Sequence, residues 1–199
     1  GFLGLLHLDI VQERLAREYN LDLIVTAPSV SYIAIKDNGE EVFVSNPSDL
    51  PDPAVIQAIQ EPWVKVEVLT PNTYVGAIMK MSLEKRGLNK TMQYIDPTRV
   101  ILIFEMPLAS IVMDYYDQLK SISSGYASMN YEYLEYRVEN LVKLDVLIAS
   151  AKVDALSLII HRDEAFHVGI SLVKKLKELI PKAQFEIAIQ AAIGSKIIA

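Results

Sequence analysis

The feature that most constrains this chain is the order of its periodic segments between residues 62 and 137. Alternating apolar residues predict four strands, and apolar residues at helical spacing predict one helix after the first strand and another before the last. The strands are "WVKVEVLT" (63–70), "LNKTMQYI" (88–95), "RVILIFEM" (99–106) and "GYASMNYEYLEYRV" (125–138). The resulting order, β-α-β-β-α-β, predicts a ferredoxin-like domain of the α+β class.

The ends of the two helices carry their own signals. Thr70-Pro71 predicts the start of the first helix, because a hydroxyl caps a helix well and proline is tolerated at its first position. Gly87, following the basic pair Lys85-Arg86, predicts its end. Pro107 is predicted to open the second helix.

Smaller units flank this domain on both sides. Residues 1–44 predict half of an α/β domain, with a helix over 6–19 and strands joined by a two-residue hairpin turn at Asn38-Gly39. Residues 45–61, rich in Pro, Asp and Asn, predict a linker, and 138–199 predict a terminal domain of strands with one helix. Because the chain begins without methionine, we expect it to be a piece of a longer protein.

Composition limits the function classes. The net charge of -6 is unlike that of a free nucleic-acid-binding module, so any contact with RNA requires a local basic patch. The absence of cysteine excludes disulfides, thiolate metal sites and cysteine nucleophiles. No apolar run approaches the roughly 20 residues that a membrane-spanning helix needs, so we expect no integral membrane segment.

The stretch "SGYASMNY" at 124–131 partly fits the strand pattern whose aromatic rings stack on RNA bases. Its basic first position is Ser124 instead, and its middle ring is Ser128. In RNA-recognition folds this motif lies on the third, central strand, and here that strand offers only Phe104. We therefore interpret the match as a product of strand propensity.

Longer stretches carry a resemblance to a known family. "TPNTYVGAIMKMSLEKRG" followed by "SGYASMNYEY" resembles the fifth domain of elongation factor G, and "GLLHLDIVQERLAREYNLDLIVTAPSVSY" resembles the second half of its third domain. "VDALSLIIHRDEAFHVG" and "KELIPKAQFEIAIQAAIGSKIIA" are similar to the C-terminal domain peculiar to LepA, elongation factor 4. The chain thus resembles the LepA family over nearly its whole length, with no fourth domain between the third and the fifth.

The resemblance implies a non-catalytic, ribosome-contacting portion of a translational GTPase, acting in elongation or back-translocation. The implied partners are ribosomal RNA, tRNA and the parent's own GTPase domain, and the implied location is the cytoplasm or the inner face of the cell membrane. GTP and Mg²⁺ are expected in the parent. This chain lacks the Gly-rich loop that holds phosphates. Its "NKTM" at 89–92 also lacks the aspartate of the guanine-recognition motif Asn-Lys-x-Asp, so we expect no cofactor here.

Basic residues are the candidates for RNA contact. One cluster lies at the first helix end and the next strand, and others lie in the terminal domain, where Lys177 and Lys182 add charge. The predicted nucleic-acid-binding residues are Lys85, Arg86, Lys90, Arg162, Lys174, Lys175 and Lys196. The chain departs from the family at Ala149-Ser150-Ala151, where Asn-Gly is usual, and at Val168-Gly169-Ile170, where two arginines flank the glycine.

Other readings of the polar residues remain alternatives. "HRD" at 161–163 is typical of the kinase catalytic loop, but that loop needs an asparagine where this chain has Val168, so Asp163 is instead predicted to cap the next helix. The spacing of its histidines does not fit a helical metal pair. Asp145 and Asp154 are predicted to be solvated, although an enzyme hidden among these groups stays an alternative. A protein-docking module is another, since the chain is acidic.

Overall fold

The computed structural model describes residues 5–23, 29–181 and 187–199. The helices are α1 (Leu5–Tyr19), α2 (Val75–Glu84), α3 (Leu108–Ser110), α4 (Tyr116–Ile122) and α5 (Arg162–Leu179), and a π-helical turn (Ile111–Tyr115) joins α3 to α4. The strands are β1 (Tyr32–Lys36), β2 (Glu41–Val44), β3 (Ile56–Pro71), β4 (Leu88–Tyr94), β5 (Arg99–Pro107), β6 (Ser128–Glu139), β7 (Leu141–Ile148), β8 (Ala151–Lys152), β9 (Leu158–His161), β10 (Ile189–Ile193) and β11 (Lys196–Ile197). In this described part, no helix is long and apolar enough to cross a membrane.

The ferredoxin-like unit is confirmed by the order of its strands. β3 and β5 lie side by side at the centre, β4 pairs with β5, and β6 pairs with the other side of β3, all antiparallel. β3 is 16 residues long and begins at Ile56, so the last part of the predicted linker over 45–61 is strand. Its first residues pair with β1, and Ile59 is buried, which the neighbouring Pro62 had obscured in the sequence.

Helix α2 starts later than predicted and ends as predicted. Thr70 remains in β3, where its hydroxyl donates to the carbonyl of Pro71 at 3.3 Å and caps no helix. At the other end, the N–H of Gly87 donates to the carbonyl of Ser82 at 2.8 Å, and Arg86 takes a left-handed conformation with φ of 64°. This is a helix-closing motif in which the left-handed position is arginine and glycine follows it.

Two buried clusters hold the chain together. The first lies between the sheet and helices α2 and α4; the Tyr115 hydroxyl hydrogen-bonds Ser82 at 2.7 Å within it. The second joins the two flanking units, because it contains Tyr32 of β1 and Ile159 of β9, and Leu108 of the central domain packs against it. The hydroxyl of Tyr32 donates to the carbonyl of Ile159 at 3.2 Å. The flanking units therefore share a core across the start of β3.

The terminal unit contains a second sheet. Its strands run β11-β10-β7-β8, and β9 pairs with β7 on the same side as β8. The predicted hairpin over 141–160 forms, although a short 3₁₀ turn at Asp154–Leu156 divides its second strand. Helix α5 packs on β10, and Gly169 allows this approach, because a Cβ there would lie 3.2 Å from Cβ of Ala191. Part of the predicted final strand falls on residues 182–186, outside the described residues.

The first unit shows its predicted helix and hairpin. Helix α1 matches the prediction over 6–19, and β1 and β2 pair as expected. The turn between them is longer than the predicted two residues: Gly39 has a φ of 81°, and its N–H donates to the carbonyl of Lys36 at 2.8 Å. The side chain of Asn38 accepts a hydrogen bond from the Glu40 N–H at 3.0 Å, which fixes this wider loop. The strand predicted before Ser29 falls on residues 24–28, which are not described.

Candidate nucleic-acid interface

The predicted cluster at the end of α2 is engaged within the chain. Lys85 Nζ lies 2.6 Å from Asp114 Oδ1, and Lys90 Nζ lies 3.1 Å from Glu105 Oε2. Glu105 also pairs with Arg137 at 2.7 Å. Burial opposes the ionisation of Glu105, but the hydrogen bonds from Arg137 and Lys90 outweigh it, so its pKa is lowered. These cations stabilise carboxylates of the sheet and of the π-helical turn.

Arg86 is the most deeply engaged of the three. Its guanidinium pairs with Glu61, whose side chain is 2% exposed, and lies 3.4 Å from Glu139. Burial raises the pKa of Glu61 despite the opposing effect of Arg86, and burial together with Glu61 raises the pKa of Tyr32 to about 12. Arg86 thus compensates a buried acid where the three units meet. No local sequence pattern predicts this pairing, because the two residues are 25 positions apart.

The cations of the terminal unit differ from this cluster in their exposure and in their ion pairing. Lys174, Lys175 and Lys177 lie in the last turns of α5, and Arg162 is its first residue; all are exposed. Lys196, on β11, is also exposed. Within the described ranges, none of the five has a carboxylate close enough for an ion pair, and Lys182 lies outside those ranges.

The remaining described lysines and arginines all have partners. Most pair with a carboxylate, and Lys120 donates instead to the carbonyl of Ala127 at 2.7 Å. As a result, in the part of the chain that the structure describes, the cations with neither a carboxylate nor a carbonyl partner are confined to α5 and β11. We call these five cations, Arg162, Lys174, Lys175, Lys177 and Lys196, the terminal basic group.

The fold explains why these side chains face outward. Ala165 and Gly169 are the buried positions of α5, and they pack against the sheet, so the lysines project from the exposed side. Lysines near a helix C-terminus also interact favourably with its dipole. The family's two arginine positions, Val168 and Ile170, are half-buried here, which suits the apolar residues that this chain carries.

The start of α5 differs from its prediction. His161, not Asp163, is the N-cap residue, and its Nδ1 accepts a hydrogen bond from the Asp163 N–H at 3.4 Å. His161 is half-buried, whereas Arg162 faces solvent. Among the described residues, no group of three or more histidine or acidic side chains is arranged to hold a metal ion.

Asp145 is buried, contrary to the prediction of a solvated carboxylate. Lys152 Nζ donates to it at 2.8 Å and Ser157 Oγ at 3.0 Å, while Lys143 lies 3.6 Å away. Burial opposes its ionisation, but the hydrogen bonds from Lys152 and Ser157 prevail, so the pKa of Asp145 is lowered. The prediction failed because β7 is covered on both faces; Asp154, in contrast, is exposed as expected.

The tyrosine-rich stretch lies where the sequence predicted. Tyr126 precedes β6, and Tyr131 lies on β6, at the edge of the sheet. Phe104, on the central strand β5, is fully buried in the first cluster. A base-stacking surface of the RNA-recognition type is therefore not formed on the central strands.

Comparisons with known proteins agree with this architecture. The family described as elongation factor G C-terminus matches residues 58–147, and the family described as GTP-binding protein LepA C-terminus matches 148–199. Curated relatives called elongation factor 4 are 59% identical in Cyanothece sp. strain PCC 7425 and 56% identical in Bacillus cytotoxicus, in both cases over 100% of this chain. The chain spans 33% of the length of each relative.

A solved structure from Thermus thermophilus, described as "Crystal structure of ttk003000868", aligns with a TM-score of 0.38 at 25% identity, over 41% of this chain and 12% of that chain. The two family matches follow each other without overlap, and the second covers the unit that bears the terminal basic group. The chain belongs to the elongation factor 4 (LepA) family and corresponds to its C-terminal part.

Proposed function

We propose that this chain is the ribosome-contacting, non-catalytic portion of an elongation factor 4-type GTPase, and that the terminal basic group binds phosphates of ribosomal RNA. The observation that supports the proposal is that, among the described residues, the cations without any carboxylate or carbonyl partner are confined to α5 and β11. Phosphate contacts fix the orientation of a protein on RNA without reading its sequence. The proposed task is therefore to position the factor during elongation or back-translocation.

Whether a predicted cation is already ion-paired determines whether it is proposed to bind RNA. Lys85, Arg86 and Lys90 would have to leave a carboxylate before they could bind a phosphate, and Glu61 would then be buried without compensation. The lysines of α5 need to break no ion pair in the described structure. Because the chain carries a net charge of -6, we expect their attraction to RNA to act at short range and to weaken steeply with salt.

The cofactors implied by the family belong, in this proposal, to another part of the parent. GTP hydrolysis requires a phosphate-binding loop and a magnesium site. The sequence has no such loop, so we propose that GTP and Mg²⁺ are bound by another part of the parent. The proposed partners are ribosomal RNA, with tRNA as an additional contact, and the parent's GTPase domain. Because ribosomes are the proposed partner, the proposed location is the cytoplasm, with the inner membrane face as an alternative.

The test is co-sedimentation of the 199-residue chain with purified ribosomes over a potassium chloride series. If several phosphates are contacted, the logarithm of the association constant should fall linearly with the logarithm of salt concentration, by close to one unit of slope per contact. A slope near zero would contradict the RNA proposal. It would favour the second candidate, a protein-docking module, which the acidic net charge supports.

A further inference from the structure

Strand β6 leaves one of its two sides open. It pairs with β3 on one side, and no other strand of the described chain pairs with its second side. It is 12 residues long, whereas the other outer strands of this sheet, β2 and β4, have 4 and 7 residues. Residues 130–135 are all exposed. β6 therefore presents the longest open row of backbone donors and acceptors in the sheet.

This edge carries less of the usual protection against pairing than the opposite edge of the sheet. Natural edge strands are blunted by lysine, by proline or by short length, and β6 contains neither residue over 128–139. One bulge, near Leu134, is its only irregularity in the pairing with β3. The opposite edge, β4, is short, carries Lys90 and has a bulge of its own. An exposed sheet edge in a native protein is the feature used by domains that bind extended peptides.

The side chains of β6 suit an added strand. Tyr131 and Tyr133 lie opposite Val66 and Val64, and they are 48% and 60% exposed at the edge. Exposed aromatic rings at such positions give favourable cross-strand contacts to a neighbouring strand. The rings alone would also suit a nucleic-acid base, so charge must decide the class of partner.

The charge of this edge is acidic. Glu132 and Glu135 lie within its exposed part, whereas Glu139 is close to Arg86. Arg137, the only cation of β6, is itself held by Glu105 at 2.7 Å and by Glu135 at 2.8 Å. A phosphate backbone would be repelled here, whereas lysine or arginine on a neighbouring strand would be attracted. We propose that the open edge of β6 binds an extended basic peptide segment as an additional strand. This inference does not rest on the proposed function of the terminal basic group.

The experiment uses the 199-residue chain and a synthetic peptide of roughly ten residues that alternates lysine and valine, long enough to span a strand. Affinity is measured by fluorescence anisotropy, and the site is located by amide hydrogen exchange. The control ligands are the same peptide with glutamate for lysine, the lysine peptide N-methylated at every residue, and oligouridine. The protein variants are Glu132→Lys and, as the matched control, Glu84→Lys on α2, which is exposed and remote in sequence.

The lysine peptide should bind and slow the exchange of amides within 130–135 by about tenfold. Glu132→Lys should weaken it on the order of tenfold, because an attractive neighbour becomes a repulsive one, while Glu84→Lys should leave it unchanged. The glutamate and N-methylated peptides should not bind. Equal binding of the N-methylated peptide would overturn strand addition, and tighter protection of 130–135 by oligouridine would overturn the choice of partner. Absence of protection by the lysine peptide would also reject the proposal.

Discussion

The guanidinium of Arg86 pairs with the carboxylate of Glu61, which joins the end of helix α2 to the beginning of the long strand β3. Glu61 is almost completely buried, next to the cluster shared by the three units. The sequence predicts Arg86 to be a cation at a helix end. In the structure it forms an ion pair with a buried carboxylate. The same distinction between engaged and free cations underlies the proposed function.

Arg86→Ala should destabilise the chain by about 3 kcal/mol at neutral pH, because it leaves the Glu61 carboxylate buried without its partner. The pKa of Glu61 is already raised by burial and should rise further in the variant. Protonation of Glu61 would remove its buried negative charge. The free energy of unfolding lost in Arg86→Ala should therefore be smaller at acidic pH than at neutral pH. Urea unfolding at both pH values measures it. Lys80→Ala, in an exposed pair, is the control and should change stability by less than about 0.5 kcal/mol.

Asp145→Ala should destabilise the terminal unit by about 2 kcal/mol, because Ser157 and Lys152 lose a charged hydrogen-bond acceptor in a buried position. In the wild type the folded-state pKa of Asp145 lies below the ordinary 3.8, so this contribution is complete above that value. It disappears as pH falls through the lower folded-state pKa. Unfolding followed from neutral pH to the acid limb should therefore show a shallower acid decline in Asp145→Ala; equal declines would contradict this account.

Gly87→Ala should be destabilising, since a Cβ would lie 2.6 Å from the carbonyl oxygen of Ser82, closer than packed atoms approach. The expected loss is about 1–3 kcal/mol. Gly76→Ala is the matched control: it lies inside α2, and nothing is within 4 Å of the added Cβ. That change should raise stability by up to about 1 kcal/mol through helix propensity. Thermal unfolding of the two variants should move in opposite directions.

Replacing Ala149-Ser150 by Asn-Gly should stabilise the β7–β8 hairpin. Both residues have positive φ, 52° and 65°, in the two-residue turn between Ile148 and Ala151. This is the turn type that favours Asn-Gly, and non-glycine residues are strained there. A gain of about 1 kcal/mol in urea unfolding is expected. A loss would show that the backbone of this turn is not the one described.

Most helices and strands of this fold can be predicted from the sequence, because their signals lie in consecutive residues. The β-α-β-β-α-β order, helix α1 and the hairpins follow from periodicity, and the end of α2 follows from Gly87. The first residues of β3 were predicted to be linker, because proline and aspartate are typical of linkers. Thr70 was misread because its capping signal also suits a strand end.

The candidate site was harder to predict, since ion pairing is a property of the folded chain. Lys85 and Asp114 are 29 residues apart, and no local pattern brings them together. Asp145 follows strand alternation, but that alternation does not reveal that both faces of β7 are covered. The exposure of the α5 lysines agrees with helical periodicity, which separates them from the buried positions Ala165 and Gly169.

The central claim is that the cations of α5, and not merely the number of positive charges, hold the chain on ribosomal RNA. The measurement is ribosome co-sedimentation over a salt series for a variant with Lys174, Lys175 and Lys177 changed to Gln. Its control has Lys36, Lys65 and Lys80 changed to Gln, which removes equal charge from existing ion pairs. We predict that the α5 variant binds more weakly, with a salt slope lower by up to about three units, while the control keeps the wild-type slope. Equal slopes in all three proteins would contradict the account.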